Sequence, residues 1–256
     1  MPTAGGLYYE EHGSGPPLIL SSGMGGSANY WRPNIAALAE HFRVIGYDHR
    51  GTGRSDRTVT PRVESIGDDI LVLMDSLGVE RASIVGHAIG GMGALWLALH
   101  EPERIDRLVV VNGWGQLDPH TYRCFNTRLS LLRNVGVREY VHAQPIFLYP
   151  PTWDSDHFGD LDDEEDVLVA DFPVEMIDNR IVATGQFDVD HITADLLAPT
   201  LFLASDDDVL VPPTCSAWLT DRFPGARLKA MNWGGHACNV TDPDTFNRIV
   251  LDFLRS

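Results

Sequence analysis

Residues 84–91 read Ile84-Val85-Gly86-His87-Ala88-Ile89-Gly90-Gly91. An apolar run ends in glycine, and two residues beyond Ala88 a glycine pair opens a helix-forming segment. A strand that turns into a helix this abruptly brings two backbones close together, and a Cβ on either flank would clash. The segment Gly86-His87-Ala88-Ile89-Gly90 has the Gly-x-Ser-x-Gly spacing of a nucleophile elbow, with alanine where the serine would stand. Alanine has no atom able to attack a carbonyl.

Working outward, short segments at 7–11, 18–20, 42–47, 82–85 and 108–111 read as strands, and 31–41, 65–77 and 89–99 as helices. In 65–77, Ile66, Ile70, Leu73, Met74 and Leu77 fall on one face of a 3.6-residue period. Glu101-Pro102 breaks the helix after the elbow. This alternation predicts a mostly parallel sheet with helices on both faces. It lapses over 115–197, a stretch with many aromatics and the acidic cluster 160–166, too long to be a bare loop. We expect a helical cap there, inserted into a core built from 1–114 and 198–256. The alternation resumes with a strand at 200–204, a helix at 214–222, a strand at 227–231 and a last helix opening at Asp242-Pro243, a capping residue followed by proline.

The chemistry-bearing residues follow in a fixed order. Asp208 comes after the strand at 200–204, and Gly234-Gly235-His236 after the strand at 227–231. Elbow, acid, histidine is the order of α/β hydrolases, and differs from those of chymotrypsin and subtilisin. Asp206 and Asp207 adjoin Asp208; the spacing to Pro212 favours Asp208, with Asp207 as the alternative. Asp48-His49-Arg50-Gly51-Thr52-Gly53-Arg54-Ser55 reads as a structural turn beside the elbow. In Ser22-Gly23-Met24 the N–H of Met24, with that of Ile89, can form an oxyanion hole. On these motifs the chain resembles the α/β-hydrolase fold over nearly its whole length.

A closer resemblance lies in Val111-Asn112-Gly113-Trp114, residues 120–125, residues 143–150 (Ala-Gln-Pro-Ile-Phe-Leu-Tyr-Pro) and residues 235–243, taken with Gly86-His87-Ala88-Ile89-Gly90. The chain is similar there to the aminoacrylate hydrolases of the bacterial pyrimidine-utilisation (Rut) pathway. That resemblance implies a small-molecule hydrolase turning 3-aminoacrylate into malonic semialdehyde and ammonia, with alanine native to the elbow. The alternative is a serine ester, lactone or amide hydrolase whose elbow nucleophile has been replaced by alanine, at Ala88. A third possibility is a non-catalytic binding protein on the same scaffold. For the first, His236 is expected to serve as acid and base in turn, oriented by Asp208, with Ala88 at the vacated position. Trp114, Tyr149 and Arg123 are candidates for contact with a small carboxylate substrate. Arg128 and Arg180 read as solvated helix residues, His87 as packing, Asn112 as a polar contact and Cys238 as a small buried hydrophobe. The remaining cap aromatics read as core and 160–166 as a solvated face.

Composition narrows the alternatives. The 256 residues carry 19 basic and 36 acidic side chains, a net charge of −17, which disfavours nucleic acid and anionic membrane surfaces as partners. No apolar run approaches the roughly 18 residues of a membrane span. The first 17 residues show neither basic nor apolar signal character, so the expectation is a cytoplasmic protein. Three cysteines without spacing logic suggest neither disulfides nor a metal site, and no cofactor is expected. The oligomeric state is left open.

Overall fold

The structure is a computed structural model and describes residues 2–59 and 62–256. In chain order, β1 (Thr3–Ala4), β2 (Leu7–His12), β3 (Pro17–Ser21), α1 (Arg32–Ala39), β4 (Arg43–Tyr47), α2 (Glu64–Ser76), β5 (Ala82–His87), α3 (Ile89–His100) and β6 (Ile105–Val111) come first. Six helices follow: α4 (Pro119–Asn134), α5 (Val137–His142), α6 (Gln144–Leu148), α7 (Pro151–Asp156), α8 (Phe158–Ala170) and α9 (Val174–Thr184). The chain ends with β7 (Thr200–Ser205), α10 (Pro213–Arg222), β8 (Arg227–Met231), α11 (Cys238–Thr241) and α12 (Pro243–Leu254).

The strands form one sheet in the order β1-β2-β4-β3-β5-β6-β7-β8, antiparallel at β1–β2 and β2–β4 and parallel elsewhere. β5 lies in the middle and is buried throughout. Its side chains alternate: Ile84 joins the core shared with α2 and α3, and Val85 the core shared with α1 and α12. Burial on both faces explains why its neighbouring residues Ile84 and Val85 are both apolar. Of the expected stripe, Ile66, Ile70, Leu73 and Met74 are buried in α2 against α3, and Leu77, just past the end of the helix, is partly buried. Asp242 caps α12 by accepting the Thr245 N–H at 3.2 Å, with Pro243 in the first turn. In such parallel sheets, ligands bind beyond the carboxyl ends of the strands. The elbow, Asp208 and His236 follow the carboxyl ends of β5, β7 and β8.

Some boundaries differ from the sequence reading. β6 starts at Ile105, where Asp106 and Arg107 conceal a strand that already pairs at Ala82–Ile105. The expected helix at 31–41 begins at Arg32, after a 3₁₀ turn at Ala28–Trp31 capped by the Ser27 hydroxyl. In the helical segment, Tyr122 and Phe158 are exposed, against the expectation of core aromatics, whereas Phe125 and Tyr140 are buried. Glu165 departs from the solvated acidic face: it is buried and pairs with Arg138 at 2.9 Å and His142 at 2.8 Å. Among the described residues no helix is long and apolar enough to cross a membrane.

Candidate active site

The elbow is held open by its surroundings. Ala88 sits at φ 47° and ψ −120°, a region that costs a non-glycine residue roughly 1–3 kcal/mol. It persists because the Ala88 N–H donates to the Val111 carbonyl at 2.8 Å and the Ala88 carbonyl accepts the Met92 N–H at 3.0 Å. The flanking glycines are sterically required: a Cβ on Gly86 would lie 2.5 Å from the Gly91 Cα, and one on Gly90 2.2 Å from the Ser22 carbonyl oxygen. The turn thus presents the residue-88 side chain as a serine elbow would, and that side chain is a methyl group.

The acid and histidine are together. His236 Nδ1 lies 2.7 Å from Asp208 Oδ2, both side chains buried. The carboxylate can only accept, so Nδ1 carries the proton and Nε2 is the atom that can take or give another. Among the described residues Nε2 has no hydrogen-bond partner. The other Asp208 oxygen, Oδ1, accepts the N–H groups of Leu210 at 2.8 Å and Val211 at 2.9 Å, so the loop itself orients the carboxylate. Asp207 has a different task. It accepts the Gly235 N–H at 2.8 Å and the Ser205 hydroxyl at 2.7 Å, tying the histidine loop to β7.

Two further groups fix the histidine backbone. The Asn112 amide donates to the His236 carbonyl at 2.7 Å, while its own oxygen accepts the Ser205 N–H at 3.0 Å. His87 Nε2 donates to the same carbonyl at 2.8 Å, and the two imidazoles lie 4.7 Å apart. His87, read as packing, therefore positions His236; no local pattern signals this, because the two are 149 residues apart. Burial, followed by the nearby His236, holds His87 well below the ordinary imidazole range. Burial, with the Arg180 charge, does the same to His49, whose ring packs beside Tyr47 and lies 3.1 Å from the Ser21 hydroxyl.

These two histidines make stability depend on pH. Both stay neutral in the fold but bind protons in the unfolded chain below about pH 6.5. The unfolded state then holds more protons, so stability is retained above that pH and falls as pH drops below it. The slope is about 1.4 kcal/mol per pH unit for each histidine. Urea unfolding between about pH 6.5 and 5 should show it, and His87→Gln should remove one histidine's share.

The remaining candidates separate. Gly23 faces the elbow: a Cβ there would lie 2.7 Å from His87 Nδ1 and 3.8 Å from the Ala88 Cβ. Met24 follows it, and Ile89 is the first residue of α3, where an N–H lacks an intrahelical acceptor. Trp114 is fully buried, its ring 5.9 Å from Phe125 and its indole N–H without an acceptor among the described residues. Tyr149 packs on Trp153 with ring centroids 4.5 Å apart, and burial pushes its phenol up to about 12. Arg123 is exposed, in a surface groove with Tyr122, Asn126 and Thr127, and the structure does not bring it to the histidine. Burial pushes the Cys238 thiol far up, so it is no nucleophile.

Arg128 and Arg180 are buried, contrary to the solvated reading. Arg180 on α9 donates to the Met24 carbonyl at 2.8 Å and the Arg50 carbonyl at 3.2 Å, clamping the loop beside the elbow. Burial lowers its guanidinium to about 10, which leaves it charged at neutral pH. A signal existed for both. Arg128 shares the buried stripe of Thr121, Phe125, Leu129 and Leu132, and Arg180 that of Met176, Ile177 and Ile181. A charge on the apolar face of an amphipathic helix marks a special position.

A strained elbow, an acid after β7 and a histidine after β8 define a hydrolase of the α/β-hydrolase fold. Residues 16–130 match the alpha/beta hydrolase fold family. A protein of Caulobacter sp. (strain K31), provisionally named carbamate hydrolase RutD, is 51% identical over 98% of this chain and 97% of its own. The enol-lactonase of Burkholderia xenovorans LB400 superposes with a TM-score of 0.88 at 27% identity, covering 98% of this chain and 96% of its own. A hydrolase from Pseudomonas aeruginosa PA01 gives 0.85 at 29%, covering 98% and 94%. The chain belongs to the RutD family of α/β hydrolases.

Proposed function

We propose that this enzyme hydrolyses 3-aminoacrylate to malonic semialdehyde and ammonia by acid–base chemistry at His236, with no covalent intermediate. The observation that carries the reading is the 2.7 Å Asp208–His236 pair kept beside an elbow that offers only a methyl group. A methyl group excludes an acyl-enzyme, and an enamine needs none. Imidazolium at His236 gives its Nε2 proton to C2 of the enamine. The C2–C3 double bond is lost, C2 becomes a methylene, and C3 is left doubly bonded to nitrogen as an iminium. The neutral imidazole then takes a proton from water as the water oxygen bonds to C3. That proton passes to nitrogen, the C–N bond breaks and ammonia leaves. The hydroxyl proton returns to the imidazole as the aldehyde forms. Asp208 orients the ring and stabilises its charged form. The Met24 and Ile89 amides polarise the adding oxygen, and Tyr149 walls the substrate, with Trp114 packed behind the site. In this reading the reaction belongs to uracil breakdown in the cytoplasm and uses no cofactor.

The relatives' name favours a second substrate, a carbamate, which also releases ammonia from a small carboxylate. Following ammonia from freshly generated 3-aminoacrylate, with and without protein, tests the first reading; acceleration is expected. Decay at the uncatalysed rate, with accelerated loss of carbamate, would support the second. Ala88→Ser is expected to bring no gain in ammonia release and only slow turnover of p-nitrophenyl acetate. A stoichiometric burst of p-nitrophenol followed by rapid turnover would instead identify a serine hydrolase missing its nucleophile.

A further inference from the structure

An anionic substrate entering a protein of net charge −17 needs a local cation. Arg123, the candidate read from sequence, is exposed in an outer groove. Arg180 is buried but occupied with two backbone carbonyls. Arg128 is the buried guanidinium left short of partners. It is 2% exposed, and among the described residues no carboxylate pairs with it. Its Nη2 donates to the Tyr140 hydroxyl at 2.9 Å and meets Gln144 Oε1 at 3.4 Å, both neutral, and its Nε has no acceptor among the described residues. Three rings surround it, with Cζ 5.2 Å from the Tyr140 centroid, 5.7 Å from Phe147 and 5.8 Å from Phe125. A buried cation with unmet donors is costly unless something completes it.

Its place in the fold links it to the histidine. Arg128 continues the α4 stripe of His120 and Cys124, spaced four residues apart. His120 Nε2 lies 2.7 Å from the Val209 carbonyl and the Cys124 thiol 3.8 Å from it, directly beyond Asp208. Burial pushes the Cys124 thiol up, the Arg128 charge pulls it down and the Asp208 charge pushes it up, so the thiol lies within electrostatic reach of both. On the other side, α6 carries Gln144 against Arg128 and ends at Leu148, whose carbonyl accepts the Ala237 N–H at 3.0 Å, next to His236. Phe125 joins the guanidinium to Trp114, three residues beyond the end of β6.

We propose that Arg128 is the anchor for the substrate's carboxylate, so that the site selects small anions of the R–COO⁻ class. This rests on the acid–base reading above for the reaction, though not for the binding. The carboxylate keeps its charge throughout the reaction, so the anchor acts on ground and transition states alike and shows in KM more than in kcat.

The test uses malonate, a stable small dicarboxylate, and its uncharged counterpart malonamide, with thermal shift and tryptophan fluorescence as readouts. Wild type is expected to bind malonate in clear preference to malonamide. Arg128→Gln should bind malonate about tenfold more weakly or worse, the loss expected for one charge-assisted pair. Its KM for aminoacrylate should rise by a similar factor while kcat changes far less. Arg128→Lys keeps the charge without the fork and should fall between. Tyr140→Phe removes the same internal hydrogen bond but leaves the guanidinium, and should retain malonate. Arg128-dependent malonate binding without enamine turnover would leave the anchor standing and overturn the catalytic reading. Wild-type turnover with malonate affinity and KM unchanged in Arg128→Gln would overturn the anchor alone, as would a Tyr140→Phe enzyme that loses malonate as completely as Arg128→Gln.

Discussion

His236→Ala is expected to slow ammonia release from 3-aminoacrylate by about 10²–10⁴-fold, the usual worth of a positioned acid–base group. The fold should survive the change. The contacts holding this position are made to its backbone carbonyl, by Asn112 and His87, and remain when the imidazole is removed. Asp208 loses one partner but keeps the Leu210 and Val211 N–H groups, so its buried carboxylate is not stranded. Melting close to wild type with the rate lost would assign the effect to chemistry. Asp208→Asn should lose rate as well, since an amide oriented with its amino group toward Nδ1 would favour the wrong tautomer. Wild-type ammonia release from the alanine variant would remove His236 from the mechanism and leave the Asp208 pair a structural feature.

What could be read in advance, and what could not, divides along a physical line. The elbow was legible because Gly86 and Gly90 are required by backbone contacts a few residues away or on the adjacent strand's loop, and only glycine meets them. Asp208 and His236 were legible because strand order puts the ends of β7 and β8 on the same edge of the sheet as that of β5. The choice between Asp207 and Asp208 needed coordinates. Both are aspartates in one loop, yet one binds the imidazole and the other the Gly235 amide. The helical segment hid most. Its buried charges meet partners far away in sequence, as Arg180 meets the Met24 carbonyl 156 residues distant, so no local pattern names the partner. The stripe position of Arg128 and Arg180 was a signal against a solvated face, and the reading of both as solvated helix residues passed it over.

The same contacts that make the elbow readable make it fragile. Gly90→Ala would put a methyl carbon 2.2 Å from the Ser22 carbonyl oxygen, 2.6 Å from the Ser21 carbonyl oxygen and 2.7 Å from the Ser21 hydroxyl. Two of these are backbone atoms at the end of β3, and the third already lies 3.0 Å from the Tyr47 hydroxyl and 3.1 Å from His49. None is the free end of a flexible side chain, so either α3 or the β3 loop must move. Overpacking of this kind costs roughly 3 kcal/mol or more. For a chain of this size that lowers Tm by about 6–12 °C. Activity should fall further than stability alone requires, because Ser22 leads directly into Gly23 and Met24 and a shift there moves the Met24 amide. Gly25→Ala is the matched control: among the described residues, its chain neighbours aside, no atom lies within 4 Å of its added Cβ, so it should stay within about 0.5 kcal/mol of wild type. If Gly90→Ala melted with the control and kept its rate, the close approach of α3 to the β3 loop would not be what shapes this turn.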